Sequence, residues 1–339
     1  MNLLDFDYRL PRELIAQSPM EPRDRSRLMV VSRAAGIIAH RQFRDLGDYL
    51  RPGDVLVCNQ SRVIPARIFG RKAGTGGRVE LLLVSRLDER TWETLIKPGR
   101  RVRAGTRLAF DGGDLEGEVL GKTPSGTCMV RFSVPIEPLL DEIGMMPLPP
   151  YIHEPLADAE RYQTIYARVR GSVAAPTAGL HFTPELVQHL IGMGVEFAFV
   201  TLHIGLDTFR PMEVEDVEDH RLHLEYCELS AETAGQLNRA KAEGRRLIAV
   251  GTTAVRVLET AALDPLTLAP FSGQTDLFIY PGYRFRAVEA LITNFHFPRS
   301  TLLLLVSAFA GRDLVFRAYR EAIQERYRFY SFGDAMLIL

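Results

Sequence analysis

The sequence predicts an α/β protein, of mixed α+β character, with a small all-β barrel-like domain inserted into its main domain. Helix-like and strand-like segments alternate before residue 71 and again after residue 147. Between these positions lie short β-like runs separated by turn residues, which is typical of a small barrel or sandwich. We therefore predict a discontinuous α/β domain at residues 1–70 and 148–339 and an inserted β-barrel-like domain at residues 71–147.

The first part of the main domain has the pattern of a small α/β unit. Residues 11–17 and 43–50 are candidate helices, and the apolar runs at 28–31 and 54–58 have the length of buried strands. Within the insertion, β-prone runs predict strands at residues 79–84, 92–96, 107–110, 115–120 and 127–132.

Capping residues mark the helices of the carboxyl-terminal part. Residues 183–185 combine a capping Thr, a Pro and an early Glu, and Ser230 can cap a helix that continues to Ala242. The apolar runs at 195–202 and 247–250 predict strands. A helix is predicted at 312–328, and the apolar tail at 329–339 is predicted to end in a strand.

Residues 275–311 combine several signals of a functional site. We predict a strand at 277–280, a turn at Pro281-Gly282, and a second strand at 288–293. Asn294, Phe295 and His296 follow that strand, and Ser300 or Thr301 can cap the next helix. Polar groups thus lie at a strand end and a helix start, where α/β proteins place ligands. The alternative is a core strand followed by a core helix.

Composition and charge exclude several classes of protein. The 339 residues are 46% hydrophobic and 24% charged, with a formal net charge of −1, so no overall basic excess indicates nucleic acid. Lys and Arg exceed Asp and Glu by 13 to 8 in residues 1–72, whereas residues 151–235 carry 5 against 14. This segregation fits one basic face, including the clusters at 23–27 and 97–103, or an ordinary solvated surface.

The cysteines and the apolar runs predict the compartment. Cys58, Cys128 and Cys227 are far apart and form no CxxC pair, which argues against a disulfide framework or a zinc ribbon. The acidic amino terminus lacks the features of a signal peptide. The apolar run at 302–310 is far shorter than the roughly 20 residues of a membrane span. We therefore expect a cytoplasmic protein with no membrane partner.

Several predicted strands end in small or polar residues that can take part in chemistry. These ends carry Asn59 and Ser61, His203 and Gly205, Gly251 to Thr253, and Thr293 to His296. If the strands are parallel neighbours, these groups meet at one edge of the sheet.

Each candidate motif also has a structural interpretation. The Gly251–Thr253 helix start can hold an anion or be a simple cap, and no GxGxxG or Walker motif is present. His181 can act as a general base or accept a hydrogen bond. His220, His223 and Glu225 resemble half of a metal site, but without HExxH they fit a solvated face equally well.

Ten segments, in order along nearly the whole chain, together resemble one family, the S-adenosylmethionine:tRNA ribosyltransferase-isomerases of queuosine biosynthesis. Asp207 departs from the usual Gly of the HxGLGTF motif, and Leu222 from the usual Met of HxMHxE. The matching segments are RDRSRLMVV (23–31), CNQSRVIPARI (58–68), PLPPYI (147–152), YQTIYA (162–167), GSVAAPTAGLHFT (171–183), HIGLDTFRP (203–211), HRLHLE (220–225), VGTTAVRVLE (250–259), FIYPGY through SAFAG (278–311) and YRFYSFGDAMLI (327–338).

The resemblance implies a catalytic α/β domain with an inserted barrel and an unusual reaction. The ribosyl moiety of S-adenosylmethionine is transferred to 7-aminomethyl-7-deazaguanine at the tRNA wobble position and isomerised to an epoxycyclopentanediol. The product is epoxyqueuosine-tRNA, and adenine and methionine are released. S-adenosylmethionine is consumed as a co-substrate, so no metal or other cofactor is expected. We expect a monomer whose partner is the precursor tRNA.

The demands of that reaction select candidate residues. A base must remove a proton made acidic by the sulfonium, and developing charges need fixed dipoles. The acid–base candidates are His181, His203 and His296. The candidates for the carboxylate or the ribose hydroxyls are Asn294, Thr252 and Thr253, and those facing the sulfonium are Tyr280 and Phe295. The candidates for tRNA phosphates are Arg23, Arg27, Arg62 and Arg67, with Arg100 and Arg101 in the insertion.

Three other functions are alternatives to this one. A methyltransferase would usually carry a glycine-rich first loop, which is missing here. A non-catalytic RNA-binding barrel would need no polar strand ends in the main domain. A metallohydrolase built on His220 and His223 would be revealed by its bound metal.

Overall fold

The computed structural model of this chain describes residues 1–110, 115–123, 126–205, 212 and 214–339, except for the side chain of Arg101. Asp207, the departure from the family motif, is therefore outside the described residues. Two compact units are present. The first contains Met1–Arg62, Pro149–Val169 and Ala175–Leu339, and the second contains Val63–Leu148 and Arg170–Ala174. The second unit begins before residue 71, the predicted boundary, because the strand Arg67–Lys72 pairs within it.

The described residues contain strands throughout the chain. In chain order they are β1 Arg27–Ser32, β2 Ile37–Gln42, β3 Val55–Asn59, β4 Ser61–Val63, β5 Arg67–Lys72, β6 Arg78–Arg86, β7 Thr91–Lys97, β8 Arg107–Phe110, β9 Glu116–Lys122, β10 Cys128–Phe132, β11 Gly144–Met145, β12 Val169–Ser172, β13 Glu196–Leu202, β14 Glu225–Leu229, β15 Leu247–Val250, β16 Phe271–Thr275, β17 Ala290–Asn294 and β18 Ala335–Ile338.

The helices begin at the capping residues that the sequence predicts. Thr183, Ser230 and Ser300 each accept a hydrogen bond from a backbone N–H in the first turn of the following helix. No described helix is long and apolar enough to cross a membrane. The α-helices are α1 Leu140–Ile143, α2 Pro184–Gly192, α3 Ala231–Ala242, α4 Thr252–Ala261, α5 Thr301–Ala310 and α6 Arg312–Gln324.

The first unit is built around a large mixed sheet. Its order is β16-β14-β13-β3-β15-β17-β18-β1-β2, and β13, β3, β15 and β17 are parallel neighbours. Strands β3, β15 and β17 are buried at every position, as expected for central strands covered on both faces. The carboxyl ends of these parallel strands therefore lie at the same edge of the sheet.

The second unit is a closed antiparallel barrel. Strands β5-β6-β7-β10-β9-β8 pair in that order, and β8 also pairs with β5, which closes the sheet. Its interior is apolar and includes Ile68, Leu81, Trp92, Val130 and Phe132. The predicted α/β fold with an inserted small barrel is confirmed.

Three predicted elements differ in the structure. The helices predicted at residues 11–17 and 43–50 are the 3₁₀ helices Arg12–Leu14 and Phe43–Tyr49. Residues 277–280 were expected to be a strand and are not. Arg256 donates to the carbonyls of Leu277 and Thr275, and Thr275 Oγ1 accepts from the N–H of Leu277. Side chains thus satisfy backbone groups that a neighbouring strand would otherwise pair with.

Candidate active site

One cleft lies at the carboxyl edge of the parallel strands. It is lined by Ile204 after β13, by Gly251 to Thr253 after β15, and by Thr293 to His296 at the end of β17. We call it the main cleft. It holds about 540 Å³ of empty space including its solvent-open mouth. Polar residues from two of the four predicted strand ends, those after β15 and β17, thus contribute to one site, and the end of β13 contributes the apolar Ile204.

The fourth strand end has a structural role. The side chain of Asn59, the last residue of β3, forms hydrogen bonds with nearby backbone groups. Nδ2 donates to the carbonyl of Leu202, while Oδ1 accepts from the N–H groups of Leu202 and Ser61. Asn59 therefore ties β3 to β13 rather than serving a ligand.

His296 is held tightly from both sides. Its backbone N–H donates to the hydroxyl of Tyr319 at 2.9 Å, and the hydroxyl of Tyr8 donates to its carbonyl. Nε2 of its ring lies 2.7 Å from Oγ1 of Thr293. Burial lowers the pKa of His296 to about 3, so the imidazole is neutral at pH 7.

The start of helix α4 also faces the main cleft. Gly251 precedes the helix with φ of 92°, a conformation that favours glycine. Thr252 and Thr253 form the first turn and are more than nine-tenths buried. Among the described residues, Thr253 Oγ1 has no hydrogen-bond partner. A helix start with a spare buried hydroxyl is suited to an anionic or hydroxylated ligand.

Aromatic rings form one wall of the main cleft. The rings of Phe297 and Tyr330 are stacked with centroids 3.8 Å apart, and Tyr151 packs at about 5 Å from both. The hydroxyl of Tyr151 is 2.6 Å from Oγ of Ser331. The acid–base and substrate-binding candidates chosen from the sequence included none of these residues. The signal was present, because Tyr151 lies in the PLPPYI segment and Tyr330 in YRFYSFGDAMLI.

The segment 328–334 carries part of that wall in a constrained conformation. Tyr330 has φ of 73°, which is uncommon for a residue with a large side chain. Its carbonyl accepts from Nδ2 of Asn294 at 2.9 Å, and its N–H donates to Phe295. Gly333 allows the turn, because a Cβ there would lie 2.5 Å from the carbonyl oxygen of Arg328.

His181 lies beside a second, smaller cleft rather than in the main one. We call this the small cleft. Its ring stacks on Phe43, and Nδ1 is 2.7 Å from Oγ of Ser26. Burial lowers the pKa of His181 to about 4, although the neighbouring Asn294 side chain acts to raise it. The lining residues include Arg23, Ser26, His181, Arg328, Ser331 and Gly333.

The predicted acid–base and substrate residues are only partly brought together. Asn294, Phe295, His296, Thr252 and Thr253 line the main cleft, whereas His203 and Tyr280 are not among the described residues that line either cleft. His203 stacks on Tyr226, and Tyr280 packs against Phe278. The ring of Phe295 is buried among Tyr319, Tyr327 and Phe329.

The predicted phosphate-binding arginines are dispersed over both units, and several have partners within the protein. Arg23 donates to the carbonyls of Gln163 and Glu160. Arg27 stacks over the ring of Tyr327. Arg62 pairs with Glu160 and Arg67 with Glu80. Arg100 is exposed, and the side chain of Arg101 is outside the described residues.

The possible metal site near residue 220 has a different organisation. Glu225 forms a buried ion pair with Arg256 and accepts from the N–H of Gly205 at 2.8 Å. His220 packs against Phe278. Among the described residues, no group of three or more His, Cys, Asp or Glu side chains is arranged to hold a metal.

A family model for queuosine biosynthesis proteins matches residues 3–338 of this chain. The chain belongs to that family. A relative from Symbiobacterium thermophilum is 60% identical and one from Moorella thermoacetica 56%, each covering the full length of both chains. Both are named S-adenosylmethionine:tRNA ribosyltransferase-isomerase.

This chain is also similar to a solved structure. It is a crystal structure of an S-adenosylmethionine tRNA ribosyltransferase from Thermotoga maritima, with 46% identity and a TM-score of 0.58. The match covers 99% of this chain and 100% of that one. The family predicted from the sequence is confirmed, and so is the prediction of a transferase-isomerase enzyme. A non-catalytic RNA-binding protein does not fit these relatives.

Proposed function

We propose that this enzyme transfers and isomerises the ribosyl moiety of S-adenosylmethionine onto 7-aminomethyl-7-deazaguanine at the wobble position of tRNA. The product is epoxyqueuosine-tRNA, with release of adenine and methionine. The relatives' names supply the substrate classes. The main cleft supports the chemistry, because it combines a neutral imidazole, a helix start and an aromatic wall.

The buried imidazole of His296 in the main cleft is the observation that carries the proposal. The C5′ protons beside a sulfonium are acidic, so the reaction needs a group that can accept one at neutral pH. His296 is neutral in the main cleft, but a pKa of about 3 makes it a weak base by itself. A bound carboxylate near the ring raises that pKa by favouring the charged form. We therefore assign His296 as the proton acceptor of the substrate complex, with His181 and His203 as the remaining candidates.

The start of α4 fits the amino-acid part of the co-substrate. The backbone N–H groups of its first turn and the spare Thr253 hydroxyl can hold the carboxylate, with Thr252 beside them. Asn294 is the further candidate for this group or for the ribose hydroxyls.

The residues of the aromatic wall are better placed to face the sulfonium than Tyr280 and Phe295, the candidates from the sequence. The Phe295 ring packs into the core, whereas Tyr151, Phe297 and Tyr330 line the main cleft. Aromatic faces attract a cationic sulfonium and stack on nucleobases. These three rings can therefore face either the sulfonium or a base.

The remaining parts of the proposal concern partners and conditions. The precursor tRNA is the macromolecular partner, and Arg23, Arg27, Arg62, Arg67, Arg100 and Arg101 are the candidates for its phosphates. No metal or other cofactor is required, because S-adenosylmethionine is consumed as a co-substrate. We propose that the enzyme works in the cytoplasm as a monomer.

One assay tests the reaction directly. The purified enzyme is incubated with S-adenosylmethionine and tRNA carrying 7-aminomethyl-7-deazaguanine, and free adenine and methionine are measured. Stoichiometric release of both, dependent on the modified base, is expected. Formation of S-adenosylhomocysteine and a methylated base would instead identify a methyltransferase and overturn the proposal.

A further inference from the structure

Arg328, which the sequence prediction did not select, has two guanidinium nitrogens without a partner. Nη1 donates to the carbonyl of Ser18 at 3.1 Å. Nε and Nη2 are shielded from solvent and have no hydrogen-bond partner among the described residues. The nearest carboxylate, Asp334, is 3.8 Å from Nε, beyond hydrogen-bond distance. Buried donors without acceptors are costly, so these two nitrogens of Arg328 are suited to binding an oxyanion.

Arg23 brings a second guanidinium to the same small cleft. Its two terminal nitrogens are fixed on the carbonyls of Gln163 and Glu160 at 2.6 and 2.9 Å. Burial, and then the positive charge of Arg161, lower the pKa of Arg23. The positive charges of Arg328 and Arg23 also lower the pKa of His181, another lining residue of the small cleft.

The carboxylates near the small cleft lie outside its lining, and Asp334 is within ion-pair distance of Arg328. None of the described residues that line it is acidic. Glu21, Asp158 and Glu160 lie near Arg23 but outside the lining. Asp334 accepts from the backbone N–H groups of Arg27 and Arg328, which commits both of its oxygens. The small cleft is therefore suited to a single oxyanion.

We propose that the small cleft binds a phosphodiester group of the polynucleotide substrate, with Arg328 as its principal ligand. The inference rests on the proposed function. Segment 328–334 forms a wall of both clefts: Tyr330 and Ser331 line the main one, and Arg328, Ser331 and Gly333 line the small one. Only a sugar separates a base from its phosphate. A base in the main cleft therefore positions its own phosphate at Arg328, where a guanidinium can bind two phosphate oxygens.

A carboxylate has the same oxyanion chemistry, and S-adenosylmethionine carries one. The two sources make different predictions. A phosphodiester site affects tRNA binding and its salt dependence, whereas a carboxylate site affects the KM for S-adenosylmethionine. The phosphodiester is favoured because the α4 start already offers a carboxylate site in the main cleft.

The test compares Arg328→Gln with the wild type and with Arg320→Gln. Arg320 is exposed on α6, so its substitution makes the same charge change away from both clefts. Dissociation constants for the precursor tRNA are measured at several salt concentrations, with the KM for S-adenosylmethionine in parallel. For R328Q we expect about tenfold weaker tRNA binding. We also expect a salt slope smaller by about 0.7 to 0.9, with an unchanged KM for S-adenosylmethionine.

The possible outcomes separate the alternatives. A raised KM for S-adenosylmethionine with unchanged tRNA binding would show a carboxylate site and overturn the inference. If R328Q binds tRNA like R320Q, the small cleft holds only water, and the inference fails. Arg328→Lys keeps the positive charge but lacks the paired N–H donors of a guanidinium, so it should retain the salt slope of tRNA binding but lose affinity. Because this variant keeps the charge, it also separates the loss of a phosphate contact from misfolding of R328Q. Adenine release by the wild type tests the proposed function separately. A wild type that binds no tRNA would overturn both the proposed function and the inference about the small cleft.

Discussion

The side chain of Asn294 contacts the buried imidazole of His181 and so connects the two clefts. Asn294 lines the main cleft, and His181 lines the small one. Asn294 raises the pKa of His181, but Oδ1 of Asn294 and Nε2 of His181 do not meet the geometry of a full hydrogen bond. Meanwhile Asn294 Nδ2 is fixed on the carbonyl of Tyr330, so one side chain touches both clefts and their shared wall.

Replacing Asn294 with aspartate should raise the pKa of His181 from about 4 toward its ordinary value. A carboxylate beside the ring favours the imidazolium form, which burial otherwise disfavours. The pKa is measured by NMR titration of the His181 ring protons. Asn238→Asp on α3 is the control, since Asn238 bonds to the backbone of Leu268 instead. An unchanged His181 pKa would show that the two side chains do not interact in solution.

Replacing His296 with glutamine should reduce product formation by about 10²- to 10⁴-fold, the range typical of a lost proton-transfer residue. Binding of the precursor tRNA should stay unchanged, because His296 is buried in the main cleft. The measurements are adenine release and tRNA affinity. His189, exposed on α2, provides the control His189→Gln. Turnover near the wild-type rate would remove His296 from the acid–base candidates.

Acid should destabilise the first unit through its buried histidines. Burial holds the pKa of His181 near 4 and that of His296 near 3, below the ordinary 6.5. Between pH 6.5 and these values the unfolded chain binds more protons, so stability is present above pH 6.5 and is lost as pH falls. Each histidine should cost about 1.5 kcal/mol of unfolding free energy between pH 6.5 and pH 5.

Urea denaturation at both pH values checks this prediction. The variant His296→Gln has one fewer titrating group, so its loss of stability on acidification should be smaller by that amount. An equal loss in the variant and the wild type would mean that His296 already binds a proton in the folded state.

Replacing Glu225 with glutamine should lower the unfolding free energy by about 3 to 5 kcal/mol. The change leaves the buried Arg256 guanidinium without its counter-charge. Asp313→Asn is the control, because the Arg312–Asp313 pair is exposed and should contribute at most about 1 kcal/mol. Thermal and urea unfolding of both variants give the comparison. A small effect of Glu225→Gln would indicate that solvent reaches the pair.

The local parts of the fold were predictable because their signals lie within a few residues. Ser230 begins α3 and Thr183 begins α2 as predicted, since a cap bonds to the N–H two or three residues later. The barrel strands followed from alternation with turns. The strand predicted at 277–280 failed because Arg256, distant in sequence, takes the carbonyl of Leu277.

The sequence by itself determined the family, the alternation of elements, and the polar strand ends at Gly251 and Asn294. Those properties are carried by motifs and by local periodicity. Only the tertiary structure decided which of these groups share a cleft. The order of strands in the sheet places β15 beside β17. The side chain of Asn59 instead forms hydrogen bonds with backbone groups, and His203 stacks on Tyr226. Burial in the folded protein also set the charge of His181 and His296, because desolvation depends on every element packed around the ring.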